Sequence, residues 1–369
     1  MTEIIYSDNR DKELINNSIN YLTWITFGKN NQNLIRGFID IFNSKVSYIK
    51  VIPHGDSTEH IGGNTGAEGM CFAINEDDVT LGIEMHGYKN APISHHKFIR
   101  HEGIHEICHA FADILPLIYA AAPREQNGIT YRNQMGMISQ RDTKTGKFVG
   151  QQYYGKTFNE TMMDIFSTIG LASYDSSFRG EGITADAILK SNYKDWKNAT
   201  TGYSMFTSIT RLAIAAFSNN GKINYNDLIE QGYGIVDVNT KTESGEILKA
   251  NDFLYGVMCN PMHVEEEFDK FMGEGTYRIF NEYLDRLFLM FQGKEKIPAE
   301  EVKRVMNFLP DFLNRKCRYN VTNGIYTQTE ANDIIGNFNG IWNAMQQEYG
   351  AYFNADEIND IARRAHEER

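Results

Sequence analysis

Residues Phe98 to Pro116 read FIRHEGIHEICHAFADILP, a strongly apolar stretch that predicts a helix over Phe98 to Leu115. It holds two overlapping H-E-x-x-H matches, His101-Glu102…His105 and His105-Glu106…His109. Two histidines at i and i+4 share one helix face and can both ligate one metal ion. The glutamate between them stands beside that face, where it can take a proton from water. A motif helix buried beneath a cleft needs uncharged residues between and just after its ligands. The first frame puts Glu106 directly after its second histidine and Gly103 inside the helix. The second has Ile107 and Cys108 between its histidines, then Ala110 and Phe111. The second frame is therefore the candidate. His101 falls on the same stripe one turn earlier, as a neighbour of the ligands or a polar residue near the pocket.

Before this helix, Asp11 to Phe27 has helical spacing, and Val46 to Ile52 alternates as a strand ending at Pro53. Met70 to Ile74 and Val79 to Met85 read as a hairpin. After it, Gln126 to Gly155 is long and polar and reads as an excursion, or a small hairpin, between two functional helices. Helical segments follow at Lys156–Leu171, Ser204–Phe217, Asn251–Met272, Tyr277–Phe291, Ala299–Arg318, Gln328–Tyr349 and Ala355–Glu367. The class is α+β: a small N-terminal mixed sheet with the motif helix, then a mostly helical C-terminal portion.

With 369 residues, 41% hydrophobic and 23% charged, the chain has ample material for a core. A net charge of −12 without any basic stripe excludes a general nucleic-acid binder. The apolar run Ile114–Ala122 contains Pro116 and is far shorter than a membrane span, so no membrane partner is expected. The N-terminus lacks the pattern of a signal peptide, so the expected location is cytoplasmic, with leaderless secretion or delivery open. Cys71, Cys108, Cys259 and Cys317 are scattered and read as reduced thiols.

Two histidines need a third protein ligand, with one position left open for water. In Asn159-Glu160-Thr161-Met162-Met163-Asp164, Glu160 and Asp164 stand at i and i+4 on a predicted helix. One carboxylate can ligate while the other orients a ligand histidine. At these residues the chain resembles the gluzincin zinc metallopeptidases. HEICHAFAD is similar to the thermolysin-type HExxHxxxD and NETMMD to NExxxD. The resemblance implies a zincin-like fold and one catalytic zinc held by His105, His109 and Glu160. It implies Glu106 as general base, Asp164 as partner of a ligand histidine, and Asp113 at an acidic position of the motif. Tyr154-Gly155-Lys156-Thr157 resembles the YG-basic-T stretch of anthrax-lethal-factor-like peptidases, which implies Tyr154 as oxyanion stabiliser. Spacing fits Tyr153 slightly better, and the local residues fit Tyr154.

The chain departs from both families. The gap from His109 to Glu160 is longer than in thermolysin, and Cys108 stands where lethal-factor-like enzymes carry Gly. His263 is a weaker candidate for thermolysin's separate catalytic histidine. Val79 to Met85 occupies the place where gluzincins have the sheet edge that receives an extended substrate. Gly66 to Met70 is faintly similar to an aminopeptidase element, in which Glu68 would hold a free amine. The expected organisation is a catalytic region over 1–295, with lobes 1–122 and 123–295, followed by a helical subdomain over 296–369. The expected function is a zinc endopeptidase acting on a peptide or protein. The alternatives are an inactive zincin-like binding protein and an aminopeptidase using Glu68.

Overall fold

The computed structural model describes residues 2–5, 9–28, 31–52, 69–75, 80–86, 95–119, 124–134, 137–153, 155–174, 204–217, 252–292 and 298–349. It is a mixed α+β fold, mostly helical, with two small sheets. The first sheet contains β1 (Glu3–Ile5), β2 (Val46–Ile52), β3 (Gly69–Asn75) and β4 (Thr80–His86), in the order β1-β2-β4-β3. β1 and β4 run parallel to β2, and β3 is antiparallel to β4. The hairpin of β3 and β4 stands as the sequence indicates. One expectation is corrected: the strand expected over Val79–Met85, here β4, is bonded on both sides and is not the edge. The edge near the motif helix is β3. The reason is non-local: β2 returns parallel to β4 and covers the side a simple hairpin would leave open.

Alternation along these strands places Ile49, Val51, Leu81, Ile83 and Met85 on one buried face. Against that core lie α1 (Asn9–Phe27), α2 (Gln32–Lys45) and α3 (His95–Tyr119). α2 is not among the helices expected from the sequence, although it buries Ile35, Phe38 and Phe42 at helical spacing. Phe38 meets Phe111 of α3 at 4.7 Å between ring centroids and Phe27 of α1 at 5.0 Å, so the three helices share one aromatic contact. α3 outruns its expected end, with Pro116 inside it. Proline removes one backbone bond of the last turn, but Ile114, Leu115 and Pro116 are buried, and that burial carries the helix on to Tyr119.

The expected excursion is a complete second sheet. β5 (Arg124–Gln126), β6 (Ile129–Gln134), β7 (Met137–Asp142) and β8 (Phe148–Tyr153) form an antiparallel meander. Its β7–β8 turn is tied by Asp142, whose carboxylate accepts from the backbone of Lys144 and Thr145 at 3.1 and 2.7 Å. β6 packs on α3, and β8 leads towards α4 (Lys156–Tyr174).

The remaining described helices are α5 (Ser204–Phe217), α6 (Asp252–Cys259), α7 (Pro261–Met272), α8 (Thr276–Gln292), α9 (Ala299–Thr322) and α10 (Gln328–Tyr349). The single helix expected over Asn251–Met272 is two, because Pro261 cannot continue α6 and instead starts α7 at its first position. α6 packs on α3, α5 and α8 pack on α4, and α9 packs on α5, α7 and α8. The helix expected over Ala355–Glu367 lies outside the described residues. No helix among the described residues is long and apolar enough to cross a membrane.

The start of α4 is fixed from α8. Asp285 accepts hydrogen bonds from the backbone N–H groups of Lys156 (3.1 Å) and Thr157 (2.7 Å), so a carboxylate from another helix caps α4. Gly155 just before it has φ +68, and a Cβ there would stand 2.6 Å from Asn281 Oδ1. Gly155→Ala is expected to cost about 1–3 kcal/mol, from left-handed strain plus that clash. Urea unfolding of the metal-free protein checks this; an unchanged midpoint would contradict it.

Candidate metal centre

α3 and α4 pack side by side and bring the two motifs together. His105 and His109 lie one turn apart on α3, and their Nε2 atoms are 3.1 Å from each other. Glu160, in the second turn of α4, places Oε2 3.2 Å from His105 Nε2 and 3.4 Å from His109 Nε2. Behind His105, Nδ1 lies 3.0 Å from Asp164 Oδ1. A carboxylate can only accept there, so Nδ1 carries a proton, which leaves Nε2 as the nitrogen that could offer a lone pair to a metal ion. Burial of Met162, Met163, Ile165 and Phe166 holds α4 against its neighbours, while the partly exposed Glu160 meets the two histidines.

These three ligand atoms could hold a metal ion. Donors bound about 2.0–2.1 Å from a tetrahedral ion stand about 3.3 Å apart. The observed edges of 3.1, 3.2 and 3.4 Å are those of one face of such a tetrahedron. Two imidazoles and one carboxylate are also the donor types of a catalytic site with one open position. The residues present fit the group.

Without a cation, the cluster is an ion-pair network. Burial opposes charge on His105, but the hydrogen bonds to Asp164 and Glu160 outweigh it and hold its pKa well above the ordinary value. His109 is raised too, because Glu160 outweighs its burial. Burial alone would raise Glu160, yet the two histidines pull it far below the usual carboxylate range. The carboxylates thus favour positive charge at the place a metal ion would supply it.

Glu106 is on the adjoining face of α3, only 5 % exposed, and is not one of the three ligands. Burial pushes its pKa up to about 7, against the pull of His105 and His109 and with support from Glu102 and Glu160. Asp113, one turn beyond His109, is raised by burial to about 6, with His109 opposing. Cys108 is fully buried, as its place between the ligands suggested, and all four cysteines are free of disulfides.

Two further residues of the site stand outside the sequence expectations. Glu102 belonged to the rejected frame, yet it is 7 % exposed and lies on the same face as Glu106, one turn earlier. Gly69, the first residue of β3, lies against both carboxylates. The i, i+4 spacing of Glu102 and Glu106 was a usable signal for the first; the second depends on strand order.

His263 is near the start of α7, edge-on to Phe217 with ring centroids 5.9 Å apart, and is not a member of the ligand cluster. Tyr153 ends β8 opposite Met137; its side chain, like that of His101 on α3, is outside the described part. Tyr154 and Glu68 lie outside the described residues. No protein family, curated protein or solved structure matches the chain.

Proposed function

We propose that the chain is a zinc-dependent metallopeptidase of gluzincin type on a zincin-like fold. The observation that carries this reading is the convergence of His105, His109 and Glu160 at tetrahedral-face distances, with Asp164 behind His105. Zinc is the ion commonly held by two imidazoles and a carboxylate. When bound it supplies Lewis acidity, polarising a peptide carbonyl and acidifying water at neutral pH.

The chain's own residues do the rest. His105 and His109 present their Nε2 lone pairs, and Asp164 keeps the His105 tautomer and ring orientation fixed. Glu106 takes the proton from the attacking water and returns it to the leaving amine. Its burial opposes charge on the carboxylate and so favours its taking up the proton. Tyr154 is proposed as donor to the oxyanion, with Tyr153 as the alternative. An intact, buried Glu106 argues against an inactive binding protein. Endopeptidase action on a peptide or protein is the favoured form, and a strict requirement for a free N-terminus would favour Glu68 and an aminopeptidase instead.

The deciding experiment is elemental mass spectrometry of purified protein, followed by hydrolysis of a peptide library. Near one zinc per chain with cleavage abolished by chelator is expected; no metal, and none taken up from zinc-containing buffer, would overturn the proposal. Asp164→Ala is expected to weaken zinc binding about 10–100-fold while leaving one site per chain. Competition with a chromogenic chelator reads that loss, and wild-type affinity would remove Asp164 from its role.

A further inference from the structure

We infer that Gly69 is a positioning residue for the general base, a role that rests on the proposed reading of Glu106. Gly69 is not among the glycines with left-handed φ, so its backbone does not call for glycine. Its neighbours do. A Cβ built there would lie 2.7 Å from Glu106 Oε1, 2.8 Å from Glu106 Cγ and 3.1 Å from Glu102 Oε2. A carboxylate oxygen can swing aside, but Cγ is set by χ1, which a helix restricts to two wells. Glu102, one turn earlier on the same face, brings its own carboxylate to the same point.

The position of the strand beside α3 is set by its pairing. Gly69 is in register with Met85 of β4, and Met85 is fully buried. Strand β3 therefore presses bare backbone onto the Glu106 side chain and fixes where its carboxylate stands relative to His105 and His109. A side chain at position 69 would displace the base without touching a metal ligand.

A double-mutant cycle on the metal-free protein tests the contact independently of activity. Gly69→Ala is expected to lower the melting temperature by roughly 2–4 °C, and by less than half of that when Glu106→Ala is already present. Equal shifts in both backgrounds would overturn the inference. In the zinc-loaded enzyme, Gly69→Ala is expected to lower kcat at least about 10-fold with KM and zinc affinity unchanged. A Gly69→Ala enzyme that binds zinc and turns over at the wild-type rate would contradict the positioning role. A wild-type chain that binds zinc and cleaves nothing would overturn the catalytic reading, and with it the role of Gly69. An additive stability cycle in an active enzyme would overturn the role of Gly69 alone.

Discussion

Glu106→Gln is expected to keep one zinc per chain with unchanged affinity and to lose peptide hydrolysis by about 10²–10⁴-fold. The two halves of that result have separate causes. Glu106 is not in the ligand cluster, so the three donor atoms of His105, His109 and Glu160 keep their positions. Glutamine has nearly the same shape, so the side chain stays seated against Gly69 and the fold is undisturbed. An amide cannot accept the proton that the attacking water must give up. Replacing a buried carboxylate beside Glu102 also removes a like-charge neighbour, so the variant is expected to be no less stable than the parent. Zinc content, melting temperature and kcat/KM measured on one preparation separate these effects. Full activity in a zinc-replete Glu106→Gln variant would rule out Glu106 as the base.

The parts legible in the sequence are those written in local spacing. The i, i+4 pairs His105/His109 and Glu160/Asp164 announce two helices with chemistry on one face, and both helices carry those faces to a common point. The hairpin of β3 and β4 was legible because its strands are neighbours in the chain. Strand order was not, since the β2–β4 pairing depends on a parallel return that no short window encodes. That same hidden pairing decides which strand is the edge, and hence that Gly69 meets Glu106. The second sheet was under-read because its strands are polar: β5 is wholly exposed and β8 carries Gln151 and Gln152, so alternation is weak. The cap on α4 by Asp285 joins residues 128 apart and leaves no local trace.

Glu160→Ala tests the point where both motifs must cooperate. Removing this residue leaves two histidines on one helix and no third donor in the cluster among the described residues, because Asp164 is turned to His105 Nδ1 and lies behind the ring. Zinc affinity is then expected to fall far more than for Asp164→Ala, by more than about 10³-fold, since a bond to the metal is lost rather than its support. The melting temperature of the wild-type protein is expected to rise on adding zinc, as a ligand that binds only the folded state must raise it. That rise is expected to vanish in Glu160→Ala. Without metal, the variant also lacks the carboxylate that does most to raise His109, while His105 keeps its support from Asp164. Titration with zinc, followed by calorimetry and thermal unfolding, reads both changes. Wild-type affinity in Glu160→Ala would place the third ligand elsewhere and break the link between the two motifs on which the proposed chemistry depends.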